Sequence, residues 1–136
     1  MSWLLDTNIL SELRKGERAN EGVRAWFSDA REEDLFTSVL VLGEVRRGIE
    51  SIRRRDVASA LALEQWLMRL TTTFSDRVLP IDARVADVWG GLNVPDPIPT
   101  VDGLLAATAL VHDHVLVTRN VRDVRATGAR VLDPTS

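Results

Sequence analysis

Cysteine is absent from this sequence of 136 residues, which excludes a disulfide framework and any thiolate metal site. Histidine is scarce: only His112 and His114 occur, close together near the end of an apparent helix, where a positive side chain is favourable in any case. A zinc centre therefore has few imidazoles to draw on. Lysine is scarcer still, since Lys15 stands alone among 17 basic residues and the rest are arginine, the better side chain for bidentate contact with phosphate or carboxylate. Long apolar runs are missing too. None is long enough to cross a bilayer, and Met1 to Leu5 is too short, and too soon broken by Asp6, to serve as a secretory leader. A soluble, cytoplasmic protein is the expectation. No nucleophile elbow and no glycine-rich nucleotide-binding pattern is present.

What is present suits one domain with one core, because 45% of the residues are hydrophobic and the length is that of a single folding unit. The formal net charge is −3 and the isoelectric point about 5.4, which argues against a surface that grips nucleic acid all over and leaves room for local basic patches.

Hydrophobic periodicity supplies the elements. Trp3 to Leu5 reads as a short buried strand, and a helix follows through Ile9 to Lys15, which Gly16 can end. Val23, Trp26, Phe27 and Ala30 recur at helical spacing and are expected in the core. Leu35 to Thr37 is a second strand, with Ser38 placed to cap the next helix. On that helix Val41, Val45, Ile49 and Ile52 form the buried stripe, and Glu44 borders it, where a carboxylate needs a partner. Leu63, Trp66, Leu67 and Leu70 resume the helical period and suggest a helical hairpin or arm. Val78 to Ile81 carries Pro80 and reads as an edge connection. Val85, Val88, Trp89 and Leu92 make another amphipathic helix. Asn93 to Thr100 is a stiff proline-rich loop, Gly103 to Val111 a helix buried on most sides, and Val115 to Thr118 a β-branched run suited to a central parallel strand. Arg130 to Leu132 is a last short strand. The four tryptophans fall on apolar faces and are expected to pack in the core rather than stack on bases.

Strands alternating with helices predict an α/β fold with a parallel sheet and right-handed crossovers. Ligands collect beyond the carboxyl ends of such strands. Asp6 then follows one strand, Glu44 lies early in the helix after another, Asp102 opens a helix, and Asn120 follows a further strand. Asp6 is also a good helix cap, so its functional weight comes from the other acids that share its edge. Converging carboxylates repel and raise one another's pKa unless a cation joins them. The natural cation is Mg2+ or Mn2+, a hard ion that takes oxygen ligands, and phosphodiester hydrolysis is the chemistry that such a centre supports.

LLDTNIL at residues 4–10, Leu42-Gly43-Glu44, VDGLLAATA at residues 101–109 and VTRNVRD at residues 117–123 resemble, in order, the signatures of PIN-domain ribonucleases, and more narrowly those of VapC toxins of bacterial toxin–antitoxin pairs. The resemblance spans nearly the whole chain. It implies a single PIN domain over residues 1–136, a three-layer α/β fold with a central, mostly parallel sheet flanked by helices. It further implies a Mg2+-dependent (or Mn2+-dependent) endoribonuclease acting on structured RNA such as tRNA or ribosomal RNA through a metal-activated water, a homodimer, and neutralisation by a small VapB-type antitoxin. The metal-ligand and catalytic roles fall on Asp6, Glu44 and Asp102.

One departure matters, since the fourth acidic position of the pattern is Asn120 here. An amide can ligate Mg2+ or orient its water without adding charge. Asn120 and Asp123 are thus the weaker ligand candidates, the alternative being that Asn120 caps a helical turn and Asp123 is a solvated first-turn acid. Among the basic residues Arg46, Arg47, Arg53, Arg54 and Arg55 form a cluster that suits an RNA backbone, a solvated helix face or an antitoxin surface. Arg46, Arg47 and Arg119 are the RNA-binding candidates. Competing folds fit less well. A phosphate-transfer receiver lacks its late-strand lysine here, and a haloacid-dehalogenase-type phosphatase wants an aspartate where Asn8 stands. A non-catalytic RNA-binding or scaffolding PIN module is the remaining alternative.

Overall fold

The computed structural model describes residues 1–136. Its strands are β1 (Trp3–Leu5), β2 (Leu35–Ser38), β3 (Val78–Leu79), β4 (Val115–Val117) and β5 (Val131–Leu132). They form one five-stranded sheet in the order β3-β2-β1-β4-β5, and every neighbouring pair is parallel. The helices are α1 (Thr7–Leu13), α2 (Glu21–Asp29), α3 (Val39–Arg53), α4 (Val57–Phe74), α5 (Ala83–Leu92), α6 (Thr100–His112) and α7 (Val121–Val124). This is the expected PIN-like α/β architecture, with the sheet wholly rather than mostly parallel.

The apolar Leu4-Leu5 pair explains why β1 takes the centre: both side chains are completely buried, as a strand covered on both faces requires. Trp3 pairs with Leu35 on one side and Val115 on the other, so β2 and β4 flank it. Pro80 directly follows β3, which keeps that strand to two residues at the sheet's edge. The main core joins the sheet to helices through Ile9, Leu10, Val23, Val41, Leu105 and Val124.

A second, smaller cluster of Val45, Ile49, Ala60 and Leu67 closes α3 against α4. The expected arm is therefore real, and α4 is longer than its periodic centre suggested, running 18 residues because Asp56 caps its first turn by accepting from the Ser59 backbone N–H. On the other side of the molecule Gly103 lets α6 approach α5. A Cβ there would stand 3.2 Å from two atoms of the Trp89 indole, closer than ordinary packing allows.

Two expectations change. In α2 only Val23 is fully buried; Trp26 is half-buried in an edge-to-face pair with Trp3, and Phe27 is 43% exposed. Ala30 lies past the helix end in extended backbone, where it and Trp26 still pack against the margin of the core, so this short peripheral helix fully buries only a residue of its first turn. His114 is not an exposed cation at a helix end either. It starts the chain's entry into β4, is 9% exposed and stacks on Phe36 and His112. Burial first, then His112, holds its pKa below the ordinary value.

Candidate active site

The candidate side chains lie at or near the starts of helices: Asp6 and Asn120 where a strand gives way to a helix, Glu44 and Asp102 in the first two turns. Asp6 follows β1 and caps α1: its Oδ1 accepts from the Thr7 backbone N–H at 2.7 Å. The cap uses one oxygen of Asp6 and leaves the other to distant partners, so capping does not stand against a role in the site. Its Oδ2 accepts from Thr118 Oγ1 at 2.8 Å and from Asn8 Nδ2 at 3.3 Å, and the residue is only 6% exposed. Ser38 caps α3 through the Leu40 N–H, as expected, and that start places Glu44 in the second turn, facing α1. The partner that a carboxylate beside an apolar stripe requires is Thr7, whose Oγ1 donates to Glu44 Oε1 at 2.7 Å.

Asp102 sits in the first turn of α6, directed there by the stiff loop that precedes Thr100. Its Oδ2 accepts from Asn120 Nδ2 at 3.0 Å. Asn120 occupies the cap position of α7, yet its side chain makes no capping bond. The amide instead reaches Asp102, so it orients a carboxylate and does not serve as a helix cap. Asp123, in the first turn of α7, is exposed and close enough to act on Asp102.

Electrostatics ties these residues together. The pKa of Asp102 is raised, first by burial, then by the negative charges of Asp6 and Asp123 and, more weakly, Glu44; the Asn120 hydrogen bond opposes the rise. Acids from three other stretches of sequence therefore act on Asp102 at the sheet edge. No three of them stand close enough to enclose a cation unaided. The donor set is nevertheless all oxygen and in negative surplus, which fits a hard divalent ion that keeps several waters in its shell, and does not fit a softer one.

Residues that sequence reasoning passed over complete the edge. Thr7, Asn8 and Thr118 lie within the quoted motifs, Thr7 and Asn8 at a helix start and Thr118 at the end of a strand. Here Asn8 Nδ2 also donates to Thr118 Oγ1 at 3.1 Å, and Asn8 Oδ1 accepts the Arg119 N–H at 3.2 Å. Glu12, with 5% exposure, was not singled out at all, because its distant partner Arg119 leaves no local spacing to detect.

The basic candidates divide. Arg46 and Arg53 are bound up with Glu50 and Glu64, and Arg119 pairs with Glu12 at 2.9 Å. Arg47 is exposed on α3 without an ion-pair partner. The tryptophans pack as expected: Trp3 against Trp26, Trp66 beside the core under the Arg14 guanidinium, and Trp89 against Gly103.

Comparison with known proteins agrees with this fold. The model of the PIN domain family matches residues 3–128. The chain is 31% identical to toxin FitB of Neisseria gonorrhoeae, with 96% of each chain covered, and 30% identical to VapC ribonuclease Y4jK of Sinorhizobium fredii, again with 96% of each covered. Among solved structures, the crystal structure of FitAcB from Neisseria gonorrhoeae superposes with a TM-score of 0.87 at 29% identity, covering 97% of both chains. In sequence and in fold, the chain belongs to the PIN-domain family, within the branch that holds the VapC and FitB toxins.

Proposed function

We propose that the chain is the toxin of a toxin–antitoxin pair and acts in the cytoplasm as a Mg2+-dependent endoribonuclease on structured RNA such as tRNA or ribosomal RNA. The observation that carries this reading is the convergence of Asp6, Glu44 and Asp102 at the carboxyl edge of the sheet, with Asp102 raised in pKa by burial and then by its acidic neighbours. An acidic cluster with no basic side chain bonded into it favours an outside cation. The names of the relatives, a VapC ribonuclease and a toxin, support the same reading.

When bound, Mg2+ lowers the pKa of water and offsets the charge that develops on the phosphodiester. The protein's own part is to aim the carboxylates. Asp6 is held from two sides, by the Thr7 N–H on Oδ1 and by Thr118 on Oδ2; Glu44 is held by Thr7; Asp102 is held by Asn120. Thr7 thereby couples Asp6 and Glu44 through adjacent bonds of one residue. Asn120 contributes less to holding the ion than Asp6 or Asp102, because its amide nitrogen already faces Asp102 and it brings no charge. Arg47 is the candidate best placed to meet an RNA backbone, since Arg46 and Arg119 are already paired with acids.

A small VapB-type antitoxin that covers the acidic edge with an arginine would replace the cation by charge-assisted hydrogen bonds, and the likeness to the FitAB assembly and to the VapBC of Salmonella typhimurium supports a partner of that kind. A homodimer belongs to the same reading and is checked by light scattering of the purified chain. The deciding experiment is cleavage of a structured RNA by the purified chain with and without Mg2+. Asp6→Asn and Asp102→Asn are expected to lose more than about 100-fold in rate, since each ligand position is worth several kcal/mol to such a centre. Near-parental cleavage by either variant overturns the site, and RNA binding without any metal-dependent cleavage by the parent establishes the non-catalytic module instead.

A further inference from the structure

Glu12 lies in the last turn of α1 with 5% of its surface exposed. A carboxylate so placed persists only when donors surround it. Two donors are local: the Asn20 N–H reaches Oε2 at 2.8 Å and Lys15 Nζ reaches Oε1 at 3.1 Å, and these fold back the chain that leaves α1. The Asn20 hydrogen bond, followed by Lys15, holds the carboxyl below its ordinary pKa, so it stays charged. The third donor is the Arg119 guanidinium, at 2.9 Å from Oε1 and 107 residues away in sequence.

Arg119 stands in the short segment that leaves β4, and its two neighbours are the residues that touch the site acids. Thr118 Oγ1 donates to Asp6 Oδ2, and Asn120 Nδ2 donates to Asp102 Oδ2. The Asn120 N–H returns to Thr118 Oγ1 at 3.0 Å, which makes the segment a compact turn. Its backbone is fastened to α1 by the Arg119 N–H on Asn8 Oδ1, and its side chain by Glu12. One segment therefore bridges Asp6 and Asp102, and α1 grips it at both ends of Arg119. A guanidinium suits that grip because its planar fork keeps a fixed orientation on a carboxylate, which an ammonium does not.

We propose that Glu12 and Arg119 form a positioning pair that sets the Thr118–Asn120 segment, and through it the relative placement of Asp6 and Asp102, for binding a divalent cation. This rests on the metal-dependent reading of the site. It assigns Arg119 to the support of the cluster and not to RNA contact. Groups that orient ligands in this indirect way typically govern metal affinity by about 10- to 100-fold.

The test uses the purified full chain with Mn2+ as the probe, titrated calorimetrically well below the melting midpoint, together with kcat and KM for a cleavable oligoribonucleotide. Arg119→Met changes a half-exposed side chain and should fold. It is expected to bind Mn2+ about 10-fold more weakly or worse, with KM for RNA unchanged, and Arg119→Lys is expected to recover only part of the loss. Glu12→Gln is expected to show the same Mn2+ defect, and the double variant to be no worse than either single change, because the two residues act as one unit.

Unaltered Mn2+ affinity in Arg119→Met overturns the pair. A raised KM with a salt dependence shallower by about one phosphate contact and parental Mn2+ affinity would make Arg119 an RNA contact, which also overturns it. Additive losses in the double variant would do the same. Should Glu12→Gln fail to fold, the Arg119 variants still decide. Absence of saturable Mn2+ binding in the parent refutes the metal-dependent reading and this proposal together, whereas parental binding that the Arg119 variants leave intact refutes the pair alone.

Discussion

In the α3–α4 arm, Arg46 and Arg53 face Glu50 and Glu64 in a closed set of ion pairs, whereas at the sheet edge Asp6, Glu44, Asp102 and Asp123 face one another with only neutral donors between them. Titration follows the arrangement. Arg46 holds Glu64 below the ordinary carboxylate range, and Arg53 does the same to Glu50, while burial and like charges push Asp102 up. The same side-chain types thus do opposite things according to what surrounds them. Charges that satisfy one another stabilise an arm modestly; charges left in surplus destabilise the free protein and become useful when a cation arrives.

The sharpest break of that comparison lies in the arm's packing. Ile49→Ala, which empties the centre of the α3–α4 cluster, is expected to lower stability by about 2–5 kcal/mol in urea unfolding. At the sheet edge the sign reverses. Asp102→Asn should raise the metal-free stability at pH 7 by about 0.5–1 kcal/mol, a modest figure because the group is partly open to solvent. The sign follows from linkage: a folded-state pKa above the unfolded one means that ionisation opposes folding. The penalty is fully present above the raised pKa and fades as pH falls towards the ordinary value of 3.8, so the parent and variant curves should converge in acid. A variant less stable than the parent at pH 7 would mean that Asp102 is a structural acid like those of the arm. The smallest effect belongs to Glu64→Gln, which removes a half-exposed partner of Arg46 and Arg53 while Glu50 still binds both arginines. Chemical denaturation should register little or no loss, since solvent screens such pairs. A loss as large as that of Ile49→Ala would show that the ion pairs, not the apolar cluster, hold the arm.

Local signals carried most of the fold. The Leu4-Leu5 pair, the continuous apolar run of Val115 to Val117 and the Ser38 cap each announced an element that the structure contains, because burial on both faces and cap chemistry are written in adjacent residues. The edge that collects Asp6, Glu44 and Asp102 was legible for a similar reason: Asp6 follows a strand, and Glu44 and Asp102 lie in the first two turns of helices. What escaped detection depends on contacts between distant stretches. Phe27 shared the period of Val23 but faces a groove, since how far a short helix is covered depends on its neighbours and not on its own spacing. Asn120 looked equally like a cap or a ligand until its amide was seen against Asp102. Glu12 looked like one more acid on a polar helix end, and only the return of the chain after β4 buries it against Arg119.

The central claim is that the acidic edge binds a divalent cation, and a cation that binds only the folded chain must stabilise it. The most direct measurement is the melting temperature of the purified chain and of Asp6→Asn across a Mg2+ titration, at fixed ionic strength. The account predicts a midpoint that climbs with the logarithm of Mg2+ concentration in the parent and stays flat in Asp6→Asn. Equal climbs in both proteins, or no climb in the parent at any concentration, would contradict it.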